Sequence, residues 1–106
     1  MRYVNISLKE FSNLEEIKNE QFNGCSCLTG MELPENLKKI TAYAFHGTHL
    51  NSIILPDSVN RIYQNAFSDK TIYYPGTEEE WNSISKDTDW NEGCPSDMKI
   101  IFDYTD

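Results

Sequence analysis

The strongest constraint on this chain is that it repeats itself at a short period. Leu14 and Ile17 precede Phe22, Leu37 and Ile40 precede Ala44-Phe45, and Val59 and Ile62 precede Ala66-Phe67. After each phenylalanine comes a second apolar segment closed by proline. These segments are Leu28, Met31 and Leu33 before Pro34; Leu50, Ile53 and Leu55 before Pro56; and the shortened Ile72 and Tyr74 before Pro75. A unit of this size cannot bury its own apolar face, so successive copies must stack and share one core, and that sharing fixes the spacing of the apolar positions. The β-branched segments alternate inward and outward as short strands do, and proline ends each because it cannot donate to a ladder. Stacked copies therefore predict parallel strands.

The pattern resembles the BspA-like leucine-rich repeats, in which the order runs L-x-x-I-x-x-x-A-F-x-x-C-x-x-L-x-x-I-x-L-P. Cys25 falls on the cysteine position, three residues after Phe22, and Thr48 takes that position in the next copy. The second copy is one residue short before Leu50, and the third lacks that stretch almost entirely. The resemblance implies a β-rich leucine-rich-repeat solenoid, a superhelix of short parallel strands with one short C-terminal capping helix. It also implies a core place for Cys25, buried and unreactive. A single domain is expected: an N-terminal cap over residues 1–13, three repeats over 14–75 and an acidic C-terminal cap over 76–106. In that cap Thr77 and Glu80 form a capping box, and the acids of the first turn suit the positive end of the helix dipole. Trp81 and Ile84 share a helical face that can cover the end of the core, and residues 99–104 supply a closing strand.

The charge of −8 is unevenly placed. Residues 77–106 carry nine acids against Lys86 and Lys99, whereas residues 1–76 carry eight acids against seven bases. This distribution argues against direct binding to nucleic acid or anionic lipid. The longest apolar runs, such as Ile100-Ile101-Phe102, are far short of the roughly 20 residues that cross a bilayer, so no membrane span is expected. Three cysteines cannot form a complete internal disulfide framework, and the N-terminal alternation interrupted by Lys9 and Glu10 does not read as a signal peptide. The expected location is cytoplasmic if the chain is complete, and cell-surface or extracellular if it is a fragment of a longer protein. Asn5-Ile6-Ser7 matches a glycosylation acceptor, a pattern that means little without a secretory route.

Candidate chemistry is thin. Cys25-Ser26-Cys27 is too tightly spaced for half a zinc site, and His46 and His49 have no carboxylate–nucleophile set beside them. Asp87-Thr88-Asp89-Trp90-Asn91 imitates the opening of a calcium loop, but the sixth position is Glu92 instead of glycine and the twelfth is Met98 instead of glutamate. No metal, cofactor or catalytic residue is expected. What remains is surface. With Met31/Leu33, Ile53/Leu55 and Ile72/Tyr74 facing inward, the outward columns are Gly30–Ser52–Thr71 and Glu32–Ile54–Tyr73. Glu32, Ser52, Ile54, Thr71 and Tyr73 are therefore the candidate partner-binding residues. The other strand columns, Glu15–Lys38–Asn60 and Glu16–Lys39–Arg61, alternate charge and read as solvated ladder positions.

The expected function is a non-catalytic protein–protein interaction module. The resemblance implies adhesion or host-surface contact of the kind seen in bacterial and parasite surface proteins. The alternative is a small acidic inhibitor, of phage type, that blocks a nucleic-acid-processing enzyme by presenting carboxylates where phosphates would sit. A third reading makes the chain the C-terminal end of a longer repeat protein. The partner is expected to be another protein, with oligomeric state left open.

Overall fold

Strands of two to five residues form too few hydrogen bonds to persist alone, so the short β segments of this chain exist only as rungs of a stack. The structure, a computed structural model, describes residues 4–48, 50–68 and 71–105; His49, one of the two histidines weighed above, lies outside them. The elements are β1 (Val4–Ser7), β2 (Glu16–Ile17), β3 (Leu28–Glu32), β4 (Lys39–Ile40), β5 (Ser52–Ile54), β6 (Arg61–Ile62), β7 (Thr71–Tyr73), α1 (Glu78–Asn82), β8 (Ser85–Lys86) and β9 (Lys99–Ile101). They wind into a solenoid of about four turns. One stack runs β2-β4-β6-β8, all parallel, with Ile17, Ile40, Ile62 and Lys86 in register. The second stack holds β1-β3 and, separately, β5-β7-β9, again parallel. No ladder joins β3 to β5 among the described residues. The break falls beside the stretch where the second copy is one residue shorter between phenylalanine and leucine.

The inward residues are those the repeat predicts. Met31, Leu33, Ile53, Leu55, Ile72 and Tyr74 are buried, as are Ile17, Leu37, Ile40, Val59 and Ile62 from the first stack. Between the stacks each coil turns through a left-handed residue at the same place: Glu20, Tyr43 and Asn65, with φ of 58°, 57° and 50°. This turn swings the chain so that the backbone itself is bonded from coil to coil. Phe22 N donates to Ala44 O and Phe45 N to Ala66 O, each at 2.9 Å. The phenylalanine rings follow: Phe22 stacks on Phe45 at 5.4 Å and Phe45 on Phe67 at 5.9 Å, nearly parallel.

The C-terminal end of the core is closed by aromatic edges. Trp90 meets Phe67 edge-on at 6.4 Å, Trp81 meets Trp90 at 5.4 Å, and Tyr74 meets Trp81 at 5.4 Å. Helix α1 carries Trp81 into place. Thr77 accepts from the Glu80 backbone N–H while the Glu80 carboxylate accepts from Thr77 N, so the expected capping box is formed, and Trp81 and Ile84 are both buried. Lys86 stands in the register position that isoleucines occupy in the three coils before it. Its ammonium donates to the carbonyls of Trp81 (2.9 Å) and Ile84 (3.0 Å) and lies 4.9 Å from the Trp81 ring centre. Burial pushes its pKa down. Another apolar coil stacked here would take that charge out of water, so Lys86 ends the isoleucine column chemically as well as geometrically.

At the opposite end one expectation fails. Cys25 is exposed, whereas Thr48, its counterpart one coil later, is buried with its hydroxyl donating to Phe45 O at 3.0 Å. The motif position is inward only when coils lie on both sides of it. On the outer side of this coil β1 pairs with β3, and Ile6 lines a cleft with Phe22 and Cys25 where a full repeat would cover them; Phe22 is half-buried and the thiol faces solvent. Among the described residues no helix is long and apolar enough to cross a membrane.

Candidate functional site

The two stacks present different outer faces, and the difference follows from their sequences. On the first, Glu16, Lys39, Arg61 and Ser85 lie in register. Arg61 is the most engaged. Its guanidinium donates to the Asp87 carboxylate and to Ser85 Oγ (3.1 Å), and it lies 4.5 Å from the Tyr63 ring centre. The hydrogen bond to Asp87 holds its pKa above the ordinary arginine value. Asp87, which the sequence offered as the first ligand of a calcium-like loop, is thus bonded to a cation from the neighbouring coil. His46 is likewise tied to neighbouring groups. Its Nδ1 is 3.4 Å from Asn23 Oδ1 and its ring meets Tyr43 edge-on at 5.4 Å.

The second stack presents apolar groups. Register places Ile54, Tyr73 and Ile101 side by side, with Ser52, Thr71 and Lys99 in the parallel column. Ile54 and Ile101 are each 41% exposed, large values for isoleucine on a paired strand. Tyr73 is half-buried because Tyr104 packs against it at 4.7 Å. Of the five candidate residues, Ser52, Ile54, Thr71 and Tyr73 therefore share one face of β5 and β7. Glu32 stands apart at the end of β3, in register with Ser7 and across the ladder break, where Lys9 pairs with it at 3.3 Å. Sequence reasoning missed Ile101 and Tyr104. The signal for Ile101 was present, since alternation along Lys99–Ile101 with Ile100 inward turns Ile101 out; nothing local signals that Tyr104 folds back onto Tyr73.

A cleft of about 550 Å³ opens where the second stack is interrupted. Ile54, Pro56 and Pro75 form one side of it, Met31 and Leu33 the other, and Glu32, Glu35 and Asp57 stand at its margins. Glu35 and Asp57 each follow the proline that ends a strand. They sit in turns closed by the same bond, Leu37 N to Pro34 O (3.3 Å) and Val59 N to Pro56 O (3.2 Å). The two carboxylates are thus equivalent positions of successive coils.

No curated protein and no solved structure matches the chain. A family model described as the BspA type leucine rich repeat region matches residues 2–88, in six copies. That match spans most of the sequence and agrees with the stacked parallel strands, so the chain belongs to the BspA-type leucine-rich repeat family.

Proposed function

We propose that this chain is a non-catalytic interaction module that binds a partner protein through the outward face of its second strand stack. The observation that carries this reading is the apolar column Ile54–Tyr73–Ile101, held in register on three adjacent strands, with both isoleucines exposed and Tyr73 half-buried beneath Tyr104. Single exposed apolar groups are ordinary on protein surfaces; a row of them on a rigid, paired scaffold is the pattern of a contact site. Ser52 and Thr71 beside it supply short hydroxyls, and Glu32 flanks it beyond the ladder break. Repeats of this family are generally protein-interaction modules, which supports the same reading. The location that goes with it is the cell surface if the chain is part of a longer exported protein, and the cytoplasm if it stands alone.

The test starts from a pull-down out of the source cell with mass spectrometry, followed by affinity measurements with the captured partner between about 50 and 200 mM salt, where exposed charge interactions are progressively screened. Ile54→Asp with Tyr73→Ser is expected to lose most binding while staying folded, with shallow salt dependence. The charge-mimic reading is favoured by the acids of residues 77–106, of which Glu78, Glu79 and Glu92 are exposed. Neutralising those three leaves Asp87 free to keep its bond to Arg61. If that variant loses the partner, and wild-type affinity collapses with salt, the acidic-inhibitor reading replaces the strand-face one.

A further inference from the structure

Three acidic residues, Glu32, Glu35 and Asp57, line the cleft that opens beside the second stack. In the first stack Arg61 is bonded to Asp87 of the next coil, while Lys39 lies in register with Arg61 as a like charge. In the proline turns the corresponding positions are Glu35 and Asp57, like on like, and no described cation forms an ion pair with either. Lys9, which reaches the same cleft, is paired with Glu32; both side chains are mostly exposed, so that pair is screened and leaves the other two acids uncompensated. Pro56, Pro75 and Ile54 line the same cleft as apolar groups, beside the gap where β3 and β5 are not laddered.

From this juxtaposition we infer that the cleft receives a basic segment of a partner protein, an arginine or lysine settling between Glu35 and Asp57 while an adjacent aliphatic residue packs on Ile54, Pro56 and Pro75. The long aliphatic stem of such a cation suits an apolar wall, and its charged head suits the exposed carboxylates that line the same cleft. A net charge of −8 adds long-range attraction for a basic partner. The inference rests on the interaction-module reading and names the partner's chemistry.

The probe is a fluorescein-labelled peptide of about ten residues alternating arginine and leucine, compared with arginine–serine and glutamate–leucine versions by fluorescence anisotropy near 150 mM salt. The arginine–leucine peptide should bind, the arginine–serine peptide roughly tenfold more weakly, and the glutamate–leucine peptide not at all. Glu35→Gln with Asp57→Asn should weaken the first peptide by about tenfold or more, whereas Glu78→Gln with Glu79→Gln, equal in charge removed, should change it less than about twofold. Equal losses in the two variants would show adsorption to an acidic surface and overturn the inference, as would an unchanged affinity in the Glu35/Asp57 variant. Circular dichroism melts of both variants exclude unfolding as the cause. Tyr73→Ser with Ile101→Ser lies outside the cleft and separates the two readings. If the captured partner is lost with this variant and kept with Glu35→Gln/Asp57→Asn, the strand face stands and the cleft assignment falls. The opposite pattern upholds the cleft without the strand face.

Discussion

The first coil and the second carry the same motif and end in different physical states. Phe22 and Cys25 occupy the positions of Phe45 and Thr48, yet Phe45 is wholly buried and Thr48 nearly so, while Phe22 is half-buried and Cys25 exposed. A repeat motif therefore specifies the direction in which a side chain points, and stacking on both sides specifies whether it is buried. The C-terminal end reaches the same goal by other means, since Trp81, Trp90 and Lys86 close it without repeating the motif.

The phenylalanine ladder should show the largest difference between the two coils. Phe45→Ala, which removes a ring stacked on both faces, should cost about 3–5 kcal/mol, enough to unfold most of a small solenoid; Phe22→Ala should cost less than half of that, because this ring stacks on one other ring and is only half-buried. Equal losses in denaturant melts would mean that the first coil is covered after all. Next comes the closed end. Thr77→Ala removes the N-cap of α1 and should cost about 1 kcal/mol, with Trp81 fluorescence shifting toward that of exposed tryptophan. The cysteine position itself follows. Thr48→Val deletes a buried hydrogen bond and should cost about 1 kcal/mol, whereas Cys25→Ser should stay within about 0.5 kcal/mol. Thiol labelling is the direct check: Cys25 should react in the native protein nearly as fast as in denaturant, and strong protection would contradict its exposed position.

The smallest effect appears only in alkali. Burial raises the pKa of Tyr74 above the ordinary 10.0, with Glu80 and Asp57 adding in the same direction. A group with a raised folded pKa contributes stability that is intact below its unfolded value and lost as pH climbs through the folded one, so the fold should weaken above about pH 10. Lys86 acts oppositely. Its depressed pKa means that its burial opposes folding while it is charged, and that cost is relieved as pH rises toward 10.5. Tyr74→Phe isolates the first contribution: the difference between its melts and those of wild type should be constant up to about pH 9 and then change in favour of the variant. A difference independent of pH to the end of the titration would show that Tyr74 ionises as freely folded as unfolded.

The repeat pattern alone specified the solenoid. The spacing of Ile17, Ile40 and Ile62, the recurrent phenylalanines and the proline-closed strands allow one arrangement that buries them all, and Thr77 with Glu80 announced the capping helix because capping is a local interaction. The outward direction of Ile54 and Tyr73 was legible for the same reason, since alternation is a property of each strand alone. Tertiary structure decided everything that depends on which coil lies next to which. It exposed Cys25 and put Lys86 in an isoleucine's place. It broke the second stack between β3 and β5 and folded Tyr104 back over Tyr73. Glu35 and Asp57 were unremarkable in the sequence as two acids 22 positions apart, and only the pitch of the winding brings them to one cleft. A periodic pattern fixes the interactions within one period, whereas the ends and the defects of a stack are set by neighbours that the period does not describe.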